Sequence, residues 1–399
     1  MNFPFQRIAL FCDSLAPSGV GRVMDTLARH LHRRGFFLFL ICDEGEGADD
    51  LWHRARPFVC DGLRLRLRTP DDHQARAQLQ AKLREWDIEV FHAHNGIAWE
   101  GHAGPAAARE AGVPLVVATE HLPAWKEWGD FLPWKRDALR EVNALFAVSP
   151  GVRDSFVSLD LVPPLEPNAQ AGRVEAVDNG VKEDEEQDKE EARRAVRCEL
   201  GLPQGTPLLL FCGRLVEQKD PYALFDSFAR LRSSGTLKPL LPAHLLVVGD
   251  GPLWEHCRSR VRENDLEARV HFLGKRGNVP RLMAASDCFV LPSKFEGLPL
   301  AVLEAMAARL PVVACDVIGT RECVRHEETG FLAPHADVEA LTQGMKRALG
   351  EEGLGWAKAG RALFCQKFTG EAMTTRQLEA YERAWQARVE PMRPPSSSL

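Results

Sequence analysis

Apolar runs bounded by turn signals alternate with helix-like segments along most of this chain, and the alternation starts twice. In the first half the runs are RIALFC (7–12), FFLFLIC (36–42), EVFHAH (89–94), PLVVATEH (114–121) and ALFAVS (144–149). In the second they are PLLLFCGRL (207–215), AHLLVVGDGP (243–252), RVHFLG (269–274), DCFVLP (287–292) and PVVACD (311–316). Strands separated by helical patterns build parallel sheets covered on both faces. Two starts imply two such sheets, and the expected fold class is α/β, with two doubly wound Rossmann-like domains facing a cleft. Ligands of these sheets bind beyond the carboxyl ends of the strands, where strand order reverses.

Between the two sets, from Pro163 to about Pro207, large apolar residues are few. The stretch carries PPLEP and the charge run EDEEQDKEEARR, which reads as a solvated helix or connector. The expected divisions are a first domain at 1–170, an acidic linker at 171–206 and a second domain at 207–370. A helix at 371–388 and a disordered tail at 389–399 follow.

Composition excludes several classes. At 399 residues and 45% hydrophobic, the chain can bury sizeable cores. A formal net charge of -6 argues against a general nucleic-acid binder. There is no apolar run of about 18 residues to span a bilayer, and the run ending at Asp13 is too short for a signal-peptide core. The ten cysteines form no C-x-x-C pair; several close apolar runs, where a thiol acts as a small hydrophobe, so a reducing, cytoplasmic setting is expected.

The most informative stretch is FEGLPLAVLEAMAARLPVVACD (295–316), which sets Glu296 and Glu304 around a Gly297-Leu298-Pro299 turn before a helix. Free amides at a helix start, with the positive end of its dipole, suit an anion. Glu304 alone could simply favour the dipole; the pair around a glycine turn is more specific. A second anion signal is CGRLVEQKD, where Arg214 and Lys219 lie just beyond a strand. Arginine offers a planar fork to phosphate oxygens and lysine a compact charge. With a helix start in the same domain, a diphosphate is the economical ligand. VVGDGP adds a Gly-rich turn at Gly249 and Gly251.

In the first domain, PSGVGRV opens a helix after the first strand. The position that would complete G-x-G-x-x-G is Met24, so the dinucleotide fingerprint fails, although Gly19 and Gly21 still let a ligand approach backbone. His121 ends a strand beside Thr119 and Glu120, facing the ligand edge. His92, His94 and Asn95 end another strand and are weaker candidates.

Taken together, FEGLPLAVLEAMA, G-R-L-x-x-x-K, VVGDGP and the strand-ending T-x-H resemble the family 4 retaining glycosyltransferases of the two-Rossmann-domain B-type fold. The resemblance covers most of residues 7–388 and is most specific at the E-x7-E motif, Glu296 to Glu304. It implies an N-terminal acceptor-binding domain and a C-terminal nucleotide-sugar domain. Glu296 would bind donor-sugar hydroxyls and Glu304 the ribose; Arg214 and Lys219, helped by amides near Gly297 to Pro299, would neutralise the diphosphate. His121 would contact the sugar near the reacting carbon, and the base would lie near Lys275 and Arg276. Asn179-Gly180 matches the turn into the second domain, and the last helix resembles the tail that crosses back to the first. The chain departs from the pattern in splitting its glycines with Val20, in carrying Arg321 where proline is common, and in its acidic insert.

The implied reaction moves a sugar from a nucleotide diphosphate, with UDP favoured, to a hydroxyl acceptor in bacterial polysaccharide, lipopolysaccharide or glycolipid synthesis. No D-x-D occurs, so no metal or other cofactor is expected; Arg214, Lys219 and the helix start replace it. The stretch PAWKEWGDFLPWKR (123–136) is weighed both as a packed helix and as a peripheral membrane or lipid-acceptor contact through Trp125, Trp128 and Trp134 with Lys126, Lys135 and Arg136. Two other classes stay open: a hydrolysing epimerase of the same fold, and a non-catalytic nucleotide-sugar-binding subunit.

Overall fold

The computed structural model describes residues 3–14, 19–67, 69, 71–97, 100–101, 103–162, 174–183, 188–233 and 242–387. The chain divides into two compact units, Met1–Gly180 with Gly370–Leu399, and Val181–Thr369. The expected tail at 389–399 lies outside the described residues.

The first unit holds a seven-stranded sheet. Its strands are β1 (Arg7–Cys12), β2 (Phe37–Cys42), β3 (Asp61–Arg64), β4 (Val90–Asn95), β5 (Leu115–Glu120), β6 (Ala144–Ala147) and β7 (Val174–Ala176). They run in the order β3-β2-β1-β4-β5-β6-β7, and their pairings are parallel. Every residue of β4 and β5 is buried, as the centre of a sheet covered on both faces requires. The switch in strand order lies between β1 and β4, and it brings Asp13 and His94 to one edge.

The second unit repeats the plan with six strands: β8 (Leu208–Cys212), β9 (His244–Val248), β10 (Val270–Gly274), β11 (Cys288–Leu291), β12 (Val312–Cys315) and β13 (Phe331–Ala333). The order is β10-β9-β8-β11-β12-β13, so the switch lies between β8 and β11. Both sheets are doubly wound Rossmann-like sheets, as the alternation of runs and helices implied. The runs read from sequence overlap ten of these strands. The three they miss are β3, β7 and β13, strands of three or four residues at sheet edges; β3 and β7 are mixed in polarity, and β13 is apolar but only three residues long.

The stretch 171–206 is not a simple connector. Val174–Ala176 completes the first sheet, and the helix Lys189–Glu199 belongs to the second unit. Asp188 caps that helix by accepting from the Glu191 amide at 3.0 Å. Its Arg197 is fully buried and donates to Thr206 O (3.0 and 2.7 Å), Ala285 O (2.9 Å) and the Asp287 carboxylate (2.9 Å). Arg197 lies three residues past the charge run, and by sequence alone it looks like the arginines before it. The expected last helix runs Gly370–Ala387 and packs in the first unit. Arg34 and His30 of the helix Gly19–Arg33 and its following turn meet Glu371, and Tyr381 is wholly buried beside Phe5 and His92.

Candidate functional site

The second unit assembles its polar residues on loops at the carboxyl edge of its sheet, on both sides of the switch between β8 and β11. After β8, Gly213 and Arg214 lead into a single 3-10 turn, Glu217–Lys219, and Asp220 leaves it in the left-handed region (φ 43°). That turn swings Lys219 back over the loop after β11. Its ammonium lies 2.5 Å from the Glu296 carboxylate, which is 4% exposed. Gln218 adds a second tether: its side-chain amide donates to Phe295 O at 3.0 Å and lies 3.5 Å from the other Glu296 oxygen. Arg214 is exposed and, among the described residues, its guanidinium has no ion-pair partner. The site thus holds one carboxylate gripped by a lysine and one arginine open to an anion.

Glycines hold these loops together. The amides of Gly213 and Leu215 donate to Val248 O (3.0 Å) and Asp250 O (2.8 Å), lacing the loop after β8 to the one after β9. At Gly249 (φ 124°) an added Cβ would sit 2.0 Å from Gly213 O, so the missing side chain makes room for the protein's own backbone and not for a ligand. Gly319 does the same for the carboxylate loop. It adopts φ 90°, and a Cβ there would lie 2.8 Å from backbone and Cβ atoms of Glu296. Gly319 and Gln218 escape sequence reading: a lone Gly-Thr and a glutamine inside R-x4-K carry no signal until the two loops are seen touching.

Gly297, Leu298 and Pro299 are buried and lead into the helix Leu300–Ala307; Pro299 occupies the N-cap and not the first helical position. Glu304 is the fifth residue of that helix and half-buried, one turn further along than Glu296's loop. Lys275 is highly exposed and 3.3 Å from Asp250, whereas Arg276 is committed to Glu199 (2.7 Å) and Asn278 (3.1 Å). Arg321, at the position where the family favours proline, pairs with Asp316 at 3.0 Å and also donates to its carbonyl.

The first unit presents its own cluster at the ends of β1, β4 and β5. His121 and His94 are buried and meet ring to ring, Nε2 to Nδ1, at 3.1 Å. His92 is bonded to Tyr381 Oη at 2.5 Å and Thr119 Oγ1 at 2.7 Å. Burial drives the imidazoles of His92 and His121 down to about 3, so both are neutral. Beside them lies a set the sequence did not suggest. Asp13 accepts from the Gly101 amide, Glu100 from those of Gly96 and Ile97, and Lys135 pairs with Glu120 at 2.9 Å. Burial, then the nearby Glu100 charge, raises Asp13 to about 7. Gly19 is exposed at the start of its helix, while Gly21 is buried, and a Cβ on it would approach Leu51 at 3.5 Å.

The aromatic stretch divides. Lys135, weighed as one cation of a membrane-facing edge, is 1% exposed and neutralises Glu120, and Arg136 donates to the carbonyls of Asp160 and Leu159. Neither cation is free for an anionic surface. Trp125 and Trp128 are half-buried, Trp128 lying against Phe156, while Trp134 is 58% exposed with Phe131 beside it. Among the described residues no helix is long and apolar enough to cross a membrane.

Residues 17–185 match the family model described as Glycosyltransferase Family 4, and residues 206–351 match the one described as Glycosyl transferases group 1. The chain is 29% identical over 350 residues to a UDP-Gal:alpha-D-GlcNAc-diphosphoundecaprenol alpha-1,3-galactosyltransferase of Escherichia coli, covering 83% of this chain and 84% of that protein. It is 29% identical over 310 residues to a 2-deoxystreptamine glucosyltransferase of Streptomyces kanamyceticus, covering 75% and 79%. Among solved structures, Anabaena Alr3699/HepE in complex with UDP and glucose has a TM-score of 0.77 at 19% identity, over 94% of this chain and 99% of that one. WaaG, a glycosyltransferase involved in lipopolysaccharide biosynthesis, has a TM-score of 0.68 at 17% identity, over 94% and 99%. Both structures share the B-type fold of two Rossmann-like domains.

Proposed function

This chain belongs to the group 1 glycosyltransferases, and we propose that it is a retaining enzyme moving a sugar from a nucleotide-diphosphate sugar to a hydroxyl acceptor. The observation that carries the reading is the Lys219–Glu296 pair at the switch of the second sheet, with the exposed Arg214 on the loop that bears Lys219. A lysine ammonium has three donors. One on Glu296 leaves two for phosphate oxygens, so a single residue ties the sugar-holding carboxylate to the diphosphate.

In this mechanism the bond between the anomeric carbon and the diphosphate oxygen breaks with its electron pair going to the phosphate. Arg214, Lys219 and the start of the helix Leu300–Ala307 stabilise the developing charge. The acceptor hydroxyl forms the new bond on the same face, and its proton passes to the departing phosphate oxygen. Glu296 holds sugar hydroxyls and Glu304 the ribose. Neither acts as the nucleophile or base of a glycosidase. The family resemblance assigns His121 to the sugar as well. No metal or other cofactor enters, because cationic side chains take that role.

UDP is the favoured nucleotide. The Escherichia coli relative is named for UDP-Gal, and a solved neighbour of the same fold holds UDP-glucose. A lipid-linked acceptor accords with the name of the Escherichia coli relative, and cell-surface glycan synthesis with the lipopolysaccharide role printed for WaaG. Peripheral membrane contact, on the cytoplasmic face, rests on the Phe131–Trp134 edge alone.

The test is a thermal-shift panel of UDP-, GDP- and ADP-sugars, since a ligand that binds only the folded state raises the melting point. A UDP-sugar is expected to protect the protein and to be consumed in the presence of EDTA when a hydroxyl acceptor is supplied. No protection by any nucleotide sugar, or turnover abolished by EDTA and restored by a divalent ion, removes this reading.

A further inference from the structure

Two neutral imidazoles joined by one hydrogen bond cannot choose their hydrogens independently. His94 Nδ1 and His121 Nε2 lie 3.1 Å apart, so one must carry the hydrogen and the other the lone pair. If His121 donates from Nε2, His94 carries its own hydrogen on Nε2. That atom is buried and has no partner among the described residues, so the arrangement strands an N–H inside the fold. If His94 donates from Nδ1, the stranded atom is a bare acceptor. Orphaned buried N–H groups are the rarer defect, under-satisfied acceptors the more tolerated one.

His92 cannot relieve the pair, although its ring centroid lies 4.0 Å from that of His94. Both of its nitrogens are committed, one to Tyr381 and one to Thr119. We infer that His94 is a positioning residue that fixes His121 as the Nδ1–H tautomer, so that His121 meets its ligand as a hydrogen-bond donor. A neutral N–H with no charge to offer suits a sugar hydroxyl oxygen and is a poor match for a substrate ammonium. Only this last step, the ligand, rests on the proposed function; the tautomer does not.

The test is long-range nitrogen–proton NMR on the full chain with 15N-labelled histidine, the His121 signals being assigned by their loss in His121→Gln. Wild type is expected to show His121 protonated on Nδ1. His94→Asn, whose side-chain amide can still donate, is expected to keep that form, and His94→Leu to lose it to the Nε2–H form. Loss of one positioned bond predicts a donor KM about tenfold higher in His94→Leu, restored in His94→Asn. An Nε2–H His121 in wild type overturns the inference, as does an unchanged tautomer in His94→Leu; should that variant not fold, the wild-type spectrum alone decides. If the tautomer is as stated but no nucleotide sugar binds, the proposed function falls and the His94–His121 relation stands.

Discussion

The ammonium of Lys219 rests 2.5 Å from the carboxylate of Glu296, on two loops that leave different strands, β8 and β11. In the proposed mechanism both side chains serve the donor substrate, and in the structure each holds the other in place. Lys219→Ala is expected to lower turnover at least about a hundredfold, since one lost charge-stabilising contact is worth roughly 3 kcal/mol. Because the pair acts as a unit, Lys219→Ala/Glu296→Gln is expected to lose much less than the product of the two single effects. Wild-type turnover in Lys219→Ala, measured under saturating donor, rules the assignment out.

Gly249 is where the loops after β8 and β9 touch backbone to backbone. A methyl there meets Gly213 O at 2.0 Å and forces a non-glycine residue to φ 124°. Gly249→Ala is expected to cost at least about 2 kcal/mol in chemical denaturation. It should also weaken nucleotide-sugar protection, because the displaced loop carries Arg214. A denaturation midpoint equal to wild type contradicts the packing described.

Arg197→Leu tests the hidden anchor in the charged stretch. Removing the buried guanidinium leaves Thr206 O and Ala285 O unsatisfied and takes one cation from Asp287, with a cost of about 3 kcal/mol. Arg194→Leu, at an exposed position of the same helix, is expected to stay within about 0.5 kcal/mol. Equal denaturation curves for both variants would show that the helix is not anchored this way.

The first unit should lose stability as pH falls below about 6.5, and the sign follows from its buried groups. His92 and His121 have folded values near 3, and His94 is lowered too, so the unfolded chain binds protons first; their contribution is whole above about 6.5 and falls away beneath it. Asp13, raised to about 7, and Glu100, also raised, act oppositely: their protonated forms favour the folded chain as pH falls toward the ordinary carboxylate range. Each group contributes roughly 1.4 kcal/mol per pH unit in its window. Asp13→Asn therefore should steepen the acid loss, read as denaturation midpoints between pH 7 and 5. A shallower loss in that variant means the carboxyl is not buried with the histidines.

Trp134→Ser is expected to leave stability within about 0.5 kcal/mol, since the ring is 58% exposed. If the Phe131–Trp134 edge docks on membranes, the wild type sediments with vesicles in a way that salt weakens little, because Lys135 and Arg136 are engaged elsewhere, and the variant does not. Equal recovery of both in the supernatant ends the membrane reading.

How far the sequence could be read depended on whether a residue's neighbours lie close along the chain. The run RIALFC is a strand whose bounds match the structure, because a buried parallel strand needs continuous apolar character. Asp61–Arg64 and Val174–Ala176 are strands too, yet they sit at sheet edges, where one-sided burial leaves no such run. Among residues of the candidate site, Glu296 and Lys219 stood out from motif spacing. Gln218 and Gly319 did not, since their roles exist only between loops far apart in sequence. Lys135 was legible as a cation and illegible as a buried one.

The order of residues by itself determined that there are two doubly wound sheets, where each begins, and which loops carry carboxylates and cations. Those features follow from local periodicity and from turn chemistry, which need no distant partner. The tertiary structure decided which charges meet. Lys219 closes on Glu296, Lys135 turns inward to Glu120, and His94 bonds His121, because strand order sets those loops side by side and burial then leaves each polar atom to find whatever partner the fold has brought within reach.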